Sequence, residues 1–436
     1  MKVDFQQIPF SKTQIRKLGD QIRKDLSTNG KLDPILLSKL ESYRSSYINS
    51  ITEVFSVVSE AAKNIRHDAI STFRIKRIES IIGKLKRYPS MELDRMWDIA
   101  GCRCILNIDI KVLKLLSVLE SKLEIKKVND YNKNPQDSGY RSIHIYVKLS
   151  ENDKNIVEIQ LRNKNDHNWA TLVEIVDLLF DKKIKEGQED LTFNRFHLLM
   201  SRINDVTLEE RSELIEIIHS SHIFKSLLSV FAKNYLKVRI KFLELNRNKN
   251  DHFFVITAKK DETPDIRSFS TFSQAEDCYF EQFKSGSNEN TVMTFLPQTN
   301  FTNLEMAYSN YTLTTHTFID DYFKVIENAI IDLIDQKKYK SFFKVYSRYL
   351  DNYKFYRESI HEEIETMKEY SQVKHENGRK LKNWVKDFKK RMDKRGTNAT
   401  IAQKRFRNKI PTSGSSKLLF NLYMWRTRTK IKNLGL

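Results

Sequence analysis

Apolar positions recur at helical spacing over residues 11–70. Pro34-Ile35-Leu36-Leu37 opens one helix after Leu32-Asp33, and Tyr43 to Ile65 continues the pattern. Ser71 to Lys86 predicts a further helix, with Ile75, Ile78, Ile81, Ile82 and Leu85 on an apolar face and Arg74 and Lys76 flanking it. The period then shortens. Arg103–Leu106, Glu124–Asp130, Ile143–Leu149 and Ile156–Arg162 read as strands, with a helix from Val112 to Leu123 among them. Helical spacing returns over His167–Phe180, Phe193–Arg202 and Leu208–Leu245.

A polar run, Asn246-Arg247-Asn248-Lys249-Asn250-Asp251, breaks the chain. Beyond it, His252–Thr257, Ser268-Phe269, Ser273–Phe283, Thr291–Leu296 and Asn303–Tyr308 predict a β-β-α-β-α unit. From Thr317 the chain reads as helices over 318–334, 339–370 and 379–392, then a loop at 410–416 before a last basic helix. The expected organisation has five segments: N-terminal helices (1–70), an α+β domain around a mixed sheet (71–205), connecting helices (206–250), a small α/β unit (251–335) and a helical basic extension (336–436).

Composition narrows the classes. With 11 Gly and 7 Pro in 436 residues, the chain is neither a repeat nor a low-complexity protein. No apolar run is long enough to span a bilayer and no signal peptide is evident, so a cytoplasmic protein without a membrane partner is expected. Cys102, Cys104 and Cys278 have neither metal-ligand spacing nor a disulfide framework, which fits a reducing compartment. The net charge of +19 is concentrated: residues 371–436 hold 19 Lys and Arg against 3 Asp and Glu. Such a tail is either a solvated helical face or a surface for an acidic partner, most often nucleic acid.

Candidate chemistry gathers between Phe73 and Trp169. Arg74, Lys76 and Lys84 are cations of the type that holds a triphosphate. Asp98 precedes a tight glycine turn, Ile99-Ala100-Gly101, into a strand, where a carboxylate can hold Mg²⁺. Alternation along the Ile156–Arg162 strand puts Glu158, Gln160 and Arg162 on one polar face. Two carboxylates on two strands suit metal-assisted attack on phosphorus; an exposed sheet face would give the same alternation. Tyr140, after Gly139, is placed either to stack on a base or in the core, and His144 either meets a phosphate or ribose or lies at the surface.

These residues carry a resemblance. Arg74-x-Lys76 with Ser80-Ile81-x-x-Lys84, Asp98-Ile99-Ala100-Gly101-x-Arg103, Asp130-Tyr131, Pro135-x-x-Ser138-Gly139-Tyr140-Arg141-Ser142-x-His144, Glu158-x-Gln160-x-Arg162 and Trp169-Ala170 resemble the RelA/SpoT alarmone synthetase domain over about a hundred residues, in order and at family spacing. The resemblance implies a nucleotidyltransferase-like mixed sheet and transfer of the β,γ-pyrophosphate of ATP to a ribose 3′-hydroxyl, with Mg²⁺ as cofactor. Carried over position by position, it implies that Arg74, Lys76, Lys84 and Arg103 bind ATP. It makes Asp98 and Glu158 the catalytic metal ligands, Glu158 also helping to deprotonate the acceptor. Tyr140 stacks on the acceptor base, while Arg141, His144, Gln160 and Arg162 line the acceptor site. Family members usually carry Lys after the proline of the acceptor loop; here it is Gln136. The missing cation weakens the expectation of free GDP or GTP and favours an acceptor anchored elsewhere, such as a tRNA 3′ end. His67-Asp68 stands without the upstream ligand pattern of a companion hydrolase.

The β-β-α-β-α unit followed by Ala307-Tyr308-Ser309-Asn310-Tyr311 resembles CapRel-like fused toxic small alarmone synthetases. That resemblance implies an autoinhibitory Tyr-x-x-Tyr element, Tyr308 and Tyr311, blocking the ATP site, and release by a phage protein that binds the C-terminal region. It implies pyrophosphorylation of the tRNA 3′ CCA end as a toxin in phage defence. The alternative is a guanosine alarmone synthetase making ppGpp or pppGpp, and a third reading is a degenerate, RNA-binding synthetase. Residues 341–436 lie beyond this resemblance; their aromatic helix reads as core or interface, and their basic helices suit tRNA phosphates or another acidic partner.

Overall fold

The computed structural model describes residues 10–149, 155–184, 187–245, 250–286, 290–297, 300–372, 378–409 and 415–434. In chain order its elements are α1 (Lys12–Asn29), α2 (Pro34–Ser45), α3 (Ile48–Ile65), β1 (Ile70–Ile75), α4 (Ile78–Arg87), β2 (Ala100–Leu106), α5 (Asp109–Lys122), β3 (Glu124–Asp130), β4 (Ile143–Lys148), β5 (Val157–Asn163) and α6 (Lys164–Leu179). Then follow α7 (Leu191–Ser201), α8 (Leu208–Ser220), α9 (Ile223–Leu245), β6 (Phe253–Thr257), β7 (Asp265–Phe269), α10 (Phe272–Lys284), β8 (Thr291–Phe295), α11 (Phe301–Ala307) and α12 (Ser309–Thr312). Four long helices close the chain: α13 (Phe318–Asp335), α14 (Tyr339–Gln372), α15 (Gly378–Asn408) and α16 (Ser415–Asn433). The result is an α+β fold with a mixed sheet. Local signals set several boundaries. Ser11 and Gln14 form a capping box at α1, and Asp33 caps α2 with Pro34 as its first residue.

Two compact units form. The first comprises residues 1–171 and 244–312, the second 172–243 and 313–436. This division differs from the five expected segments. The β6-β7-α10-β8-α11 order matches the expected β-β-α-β-α unit, but its strands join the sheet of the first unit and make no separate layer. The sheet has eight strands in the order β3-β4-β5-β2-β1-β8-β6-β7. Its β2–β5 pair is parallel and its other pairs are antiparallel. β8 reaches β1 through Phe73↔Phe295 and Arg74↔Thr294, and Phe73 and Phe295 stack at 4.8 Å. One face of the sheet is the core. Phe73, Cys102, Ile145, Ile159, Phe253 and Met293 lie in a single buried cluster with residues of α3, α5 and α10.

The expected helix over 71–86 is corrected. Ile70-Ser71-Thr72-Phe73-Arg74-Ile75 is strand β1, and the helix begins at Ile78. The run is β-branched and aromatic and pairs with strands on both sides, so sheet pairing overrides the helical spacing. Arg74 and Lys76 therefore do not share a helix with Lys84. The helix expected over 208–245 is broken at Ser221 and His222, where His222 takes a positive φ of 56°. The last part of the chain is more helical than expected, since α15 runs to Asn408. The polar break at 246–249 and most of the 410–416 loop lie outside the described residues.

The second unit is helical. On α14, the near-parallel rings of Phe342, Tyr346, Tyr349, Tyr353 and Tyr356 follow one another at 5.4–6.4 Å, and all five are buried. The aromatic helix is thus core of its own unit. Arg395 of α15 pairs with Glu327 of α13 and lies 4.0 Å over the Phe323 ring. Among the described residues no single helix is long and apolar enough to cross a membrane.

Candidate active site

The other face of the sheet carries the polar residues, and strand register aligns them. Along β4 the core residues Ile143, Ile145 and Val147 alternate with His144 and Tyr146; along β5, Val157, Ile159 and Leu161 alternate with Glu158, Gln160 and Arg162. Register then lines up Tyr146, Glu158, Gly101, Arg74 and Thr294 across five strands. A second row holds His144, Gln160, Arg103 and Thr72.

Five side chains close a hydrogen-bonded ring on this floor. Arg162 Nη2 donates to the Tyr140 hydroxyl at 2.7 Å, which meets His144 Nε2 at 2.7 Å. His144 Nδ1 faces Glu158 Oε1 at 2.9 Å. Gln160 Nε2 donates to Glu158 Oε2 at 2.8 Å, and Arg162 Nη2 donates to Gln160 Oε1 at 3.1 Å. Tyr146 adds a hydroxyl to Glu158 Oε1 at 3.2 Å. Burial alone would raise the Glu158 carboxyl, but the bond from His144 and that from Gln160 outweigh it and hold it at about 2. Burial would likewise discharge His144, yet Glu158 and Tyr140 lift it to about 9. Tyr140, raised by burial, is drawn down to about 8 by Arg162 and His144. The ring is a charged, preorganised network at ordinary pH.

A second group lies where β1 ends and β2 begins. Lys76 Nζ reaches Asp98 Oδ2 at 2.6 Å, and Lys84 Nζ, from α4, reaches Asp98 Oδ1 at 3.1 Å. Burial favours the neutral carboxyl of Asp98, and the two ammonium groups reverse this, holding it below the usual carboxylate range. Glu158 acts on the same group as a like charge. Lys76, just past the end of β1, and Lys84 of α4 thus meet although they do not share a helix.

The third group covers part of the floor. Tyr308, at the junction of α11 and α12, and Tyr311 on α12 are both buried, with ring centroids 6.2 Å apart. The Tyr308 hydroxyl accepts from Thr294 Oγ1 at 2.5 Å and donates to Thr72 Oγ1 at 3.3 Å. Arg103 lies 5.9 Å over the Tyr308 ring and donates from Nη1 to the Ala307 carbonyl at 3.2 Å. His167 Nε2 lies 2.7 Å from the Met306 carbonyl.

Asp98 and Glu158 suit a magnesium ion. Both are held ionised, both are hard oxygen donors, and Mg²⁺ commonly takes one or two carboxylates with the rest of its shell from water and substrate phosphates. Among the described residues no cluster of three metal-ligating side chains forms.

Comparison with known proteins gives the family. The family model described as "Region found in RelA / SpoT proteins" matches residues 73–177. The chain is 30% identical over 154 residues to the GTP pyrophosphokinase YjbM of Bacillus subtilis, covering 33% of this chain and 72% of that protein. It is 32% identical over 140 residues to the GTP pyrophosphokinase YwaC of the same organism, covering 29% and 67%. The chain belongs to the RelA/SpoT family. It is a RelA/SpoT-type pyrophosphokinase, and the family match takes in strands β1 to β5 of the sheet but not β6, β7 and β8. Among solved structures it is similar to small alarmone synthetase 1 of Bacillus subtilis bound to its product pppGpp, with 22% identity, a TM-score of 0.33, and coverage of 38% of this chain and 90% of that one. A GTP pyrophosphokinase family protein from Streptococcus pneumoniae gives 24% identity, a TM-score of 0.32, and coverage of 38% and 87%.

Of the residues singled out in this RelA/SpoT chain, Tyr140, His144, Glu158, Gln160 and Arg162 come together in the ring, and Lys76, Lys84 and Asp98 in the second group. Arg74 shares the Glu158 row through β1–β2 and β2–β5 pairing, and Arg103 lies beneath Tyr308. Arg141, half-buried, stands apart from the ring; its charge bears on Asp166 instead. Tyr146 escaped the sequence reading, although alternation along β4 puts it two residues from His144 on the same face.

Proposed function

We propose that this RelA/SpoT pyrophosphokinase modifies tRNA, is restrained by its own 301–312 segment, and serves as a toxin in phage defence. The observation that carries the restraint is the capture of Arg103 by Tyr308 and the Ala307 carbonyl on the floor that holds Glu158. In this reading Arg74, Lys76, Lys84 and Arg103 hold the phosphates of ATP. The acceptor 3′-oxygen attacks the β-phosphorus, the bond from that phosphorus to the α–β bridging oxygen breaks, and AMP leaves. Asp98 and Glu158 would hold magnesium, which would supply charge neutralisation for the transferred phosphates. The proton that the attacking hydroxyl gives up passes to Glu158, which lies beside His144 and Tyr146 and is the carboxylate nearest the acceptor residues. Tyr140 presents the acceptor base, with Arg141, His144, Gln160 and Arg162 around it.

Displacing α11 and α12 frees Arg103 and opens the site, a shift between two populations. The resemblance to CapRel-like proteins supports a phage protein as the trigger and the tRNA 3′ CCA end as the acceptor. Gln136, exposed in the loop before Tyr140, supports the same acceptor, since no cation stands there for a free nucleotide. A second reading, synthesis of ppGpp or pppGpp from GDP or GTP, is favoured by the names of the curated relatives.

The deciding experiment gives the full chain and its Tyr308→Ala variant ATP labelled at the β-phosphate, with bulk tRNA, GDP or GTP. Label on tRNA supports the proposal, and label on guanosine nucleotides supports the second reading. No transfer to any acceptor by either protein overturns both.

A further inference from the structure

The second unit carries a cationic surface that the synthetase chemistry does not use. On α15, Lys382, Lys386, Lys390 and Lys394 follow one another every fourth residue, and all four are exposed. Four residues advance a helix by about 6 Å and turn it about 40° past a full circle, so the four ammonium groups form one stripe roughly 18 Å long. The opposite side of α15 is fixed inside its own unit: Arg395, Ala399, Ala402 and Phe406 are buried. Among the described residues none of the four lysines makes an ion pair; the acids on the helix are Asp387 and Asp393.

The neighbours of the stripe decide its partner. Asn383, Asp387, Asp393 and Thr397 are exposed and polar. A helix that lies in a lipid surface presents an apolar face to it, and a protein-docking surface needs apolar or aromatic anchors at its centre. This stripe offers neither. It offers point charges at short, regular intervals, which is complementary to a polymer with regular negative charge. We infer that the Lys382–Lys394 face of α15 binds the phosphodiester backbone of a nucleic acid, without reading its sequence. The inference stands whichever acceptor the synthetase uses, because it concerns binding and not transfer.

The test measures binding of the full chain to bulk tRNA, to a DNA duplex of similar length and to phosphatidylserine vesicles, over a series of salt concentrations. The quadruple variant Lys382→Gln, Lys386→Gln, Lys390→Gln, Lys394→Gln should bind nucleic acid at least ~10-fold more weakly at about 0.1 M salt. Its log–log salt dependence should be shallower by roughly 3, from 0.7 to 0.9 per phosphate released. The matching quadruple Lys→Arg variant should bind as the parent does, which separates charge from folding. Preference for RNA or DNA identifies the source of the backbone. Equal affinity and salt slope in the parent and the Gln variant would overturn the inference, as would binding to vesicles but to neither nucleic acid.

Discussion

The Tyr279 hydroxyl accepts the backbone N–H of Ile78 at 3.0 Å. It thereby caps α4, whose N-cap residue Arg77 makes no side-chain cap of its own. The same hydroxyl donates to Glu79 Oε2 at 3.1 Å, and the Arg44 guanidinium lies 4.9 Å over its ring. Arg44 Nε in turn holds the Lys76 carbonyl at 2.8 Å. A residue of α10 and one of α2 thus fix the corner between Lys76 and the helix that carries Lys84.

Tyr279→Phe keeps the ring and removes the cap. Loss of the hydroxyl, with its bonds to the Ile78 N–H and to Glu79, should lower stability by about 1–2 kcal/mol. In a protein freed by Tyr308→Ala, the KM for ATP should rise several-fold while kcat changes less. Steady-state kinetics and thermal melting read both; an unchanged KM would count against a positioning role.

Beside this corner, Glu276 accepts from Ser45 and is packed near Glu41 and Arg44. Burial first, and then Glu41, raise its carboxyl from 4.5 to about 8. The folded state therefore binds more protons than the unfolded state between those values, and stability falls as pH rises through that window. Glu276→Gln removes the proton and with it the dependence. The variant and parent should melt alike near pH 5, and the variant should melt higher near pH 9, by an amount worth about 1–3 kcal/mol. Melting curves at the two pH values check the sign.

Tyr308→Ala should release Arg103 and raise pyrophosphoryl transfer by at least ~10-fold over the parent, with matching toxicity in cells. Tyr308→Phe, which keeps the ring over Arg103 but loses the bonds to Thr72 and Thr294, should release it only partly. Cells that tolerate Tyr308→Ala as well as the parent would refute the restraint.

Asp98→Asn and Glu158→Gln should each lower transfer by about 10³-fold, in line with loss of a group that stabilises developing charge. Their stabilities should differ in cause. Asp98→Asn leaves Lys76 and Lys84 facing each other without their shared carboxylate, and costs about 1–3 kcal/mol. Glu158→Gln leaves the His144 imidazolium without its counter-charge. Near-parent activity in either would remove that residue from the proposed site.

Much of this floor is legible in the chain because alternation of period two is a local signal. Glu158, Gln160 and Arg162 share a face by spacing alone, and His144 follows by the same rule on β4. Tyr146 obeys that rule too and went unnoticed, since an aromatic in a strand reads as core. β1 is hidden in the sequence for a different reason. Ile75, Ile78, Ile81, Ile82 and Leu85 match a helix in spacing, and only pairing with β2 and β8, both distant in sequence, makes Ile70–Ile75 a strand. The joining of β8 to β1 is a tertiary fact with no local trace. So is the Tyr279 cap, which links positions 201 residues apart.

β8 gives the small α/β segment an obligation to the catalytic sheet. If residues 244–297 were removed, β1 would present bare N–H and C=O groups along the strand that carries Arg74, an open template for pairing with another chain. A shortened protein that ends before β6 is therefore expected to aggregate, whereas loss of α11 and α12 alone leaves every strand paired as it is now. Activation within this fold is then a matter of lifting a short cover, with the strands beneath it staying in place as permanent masonry.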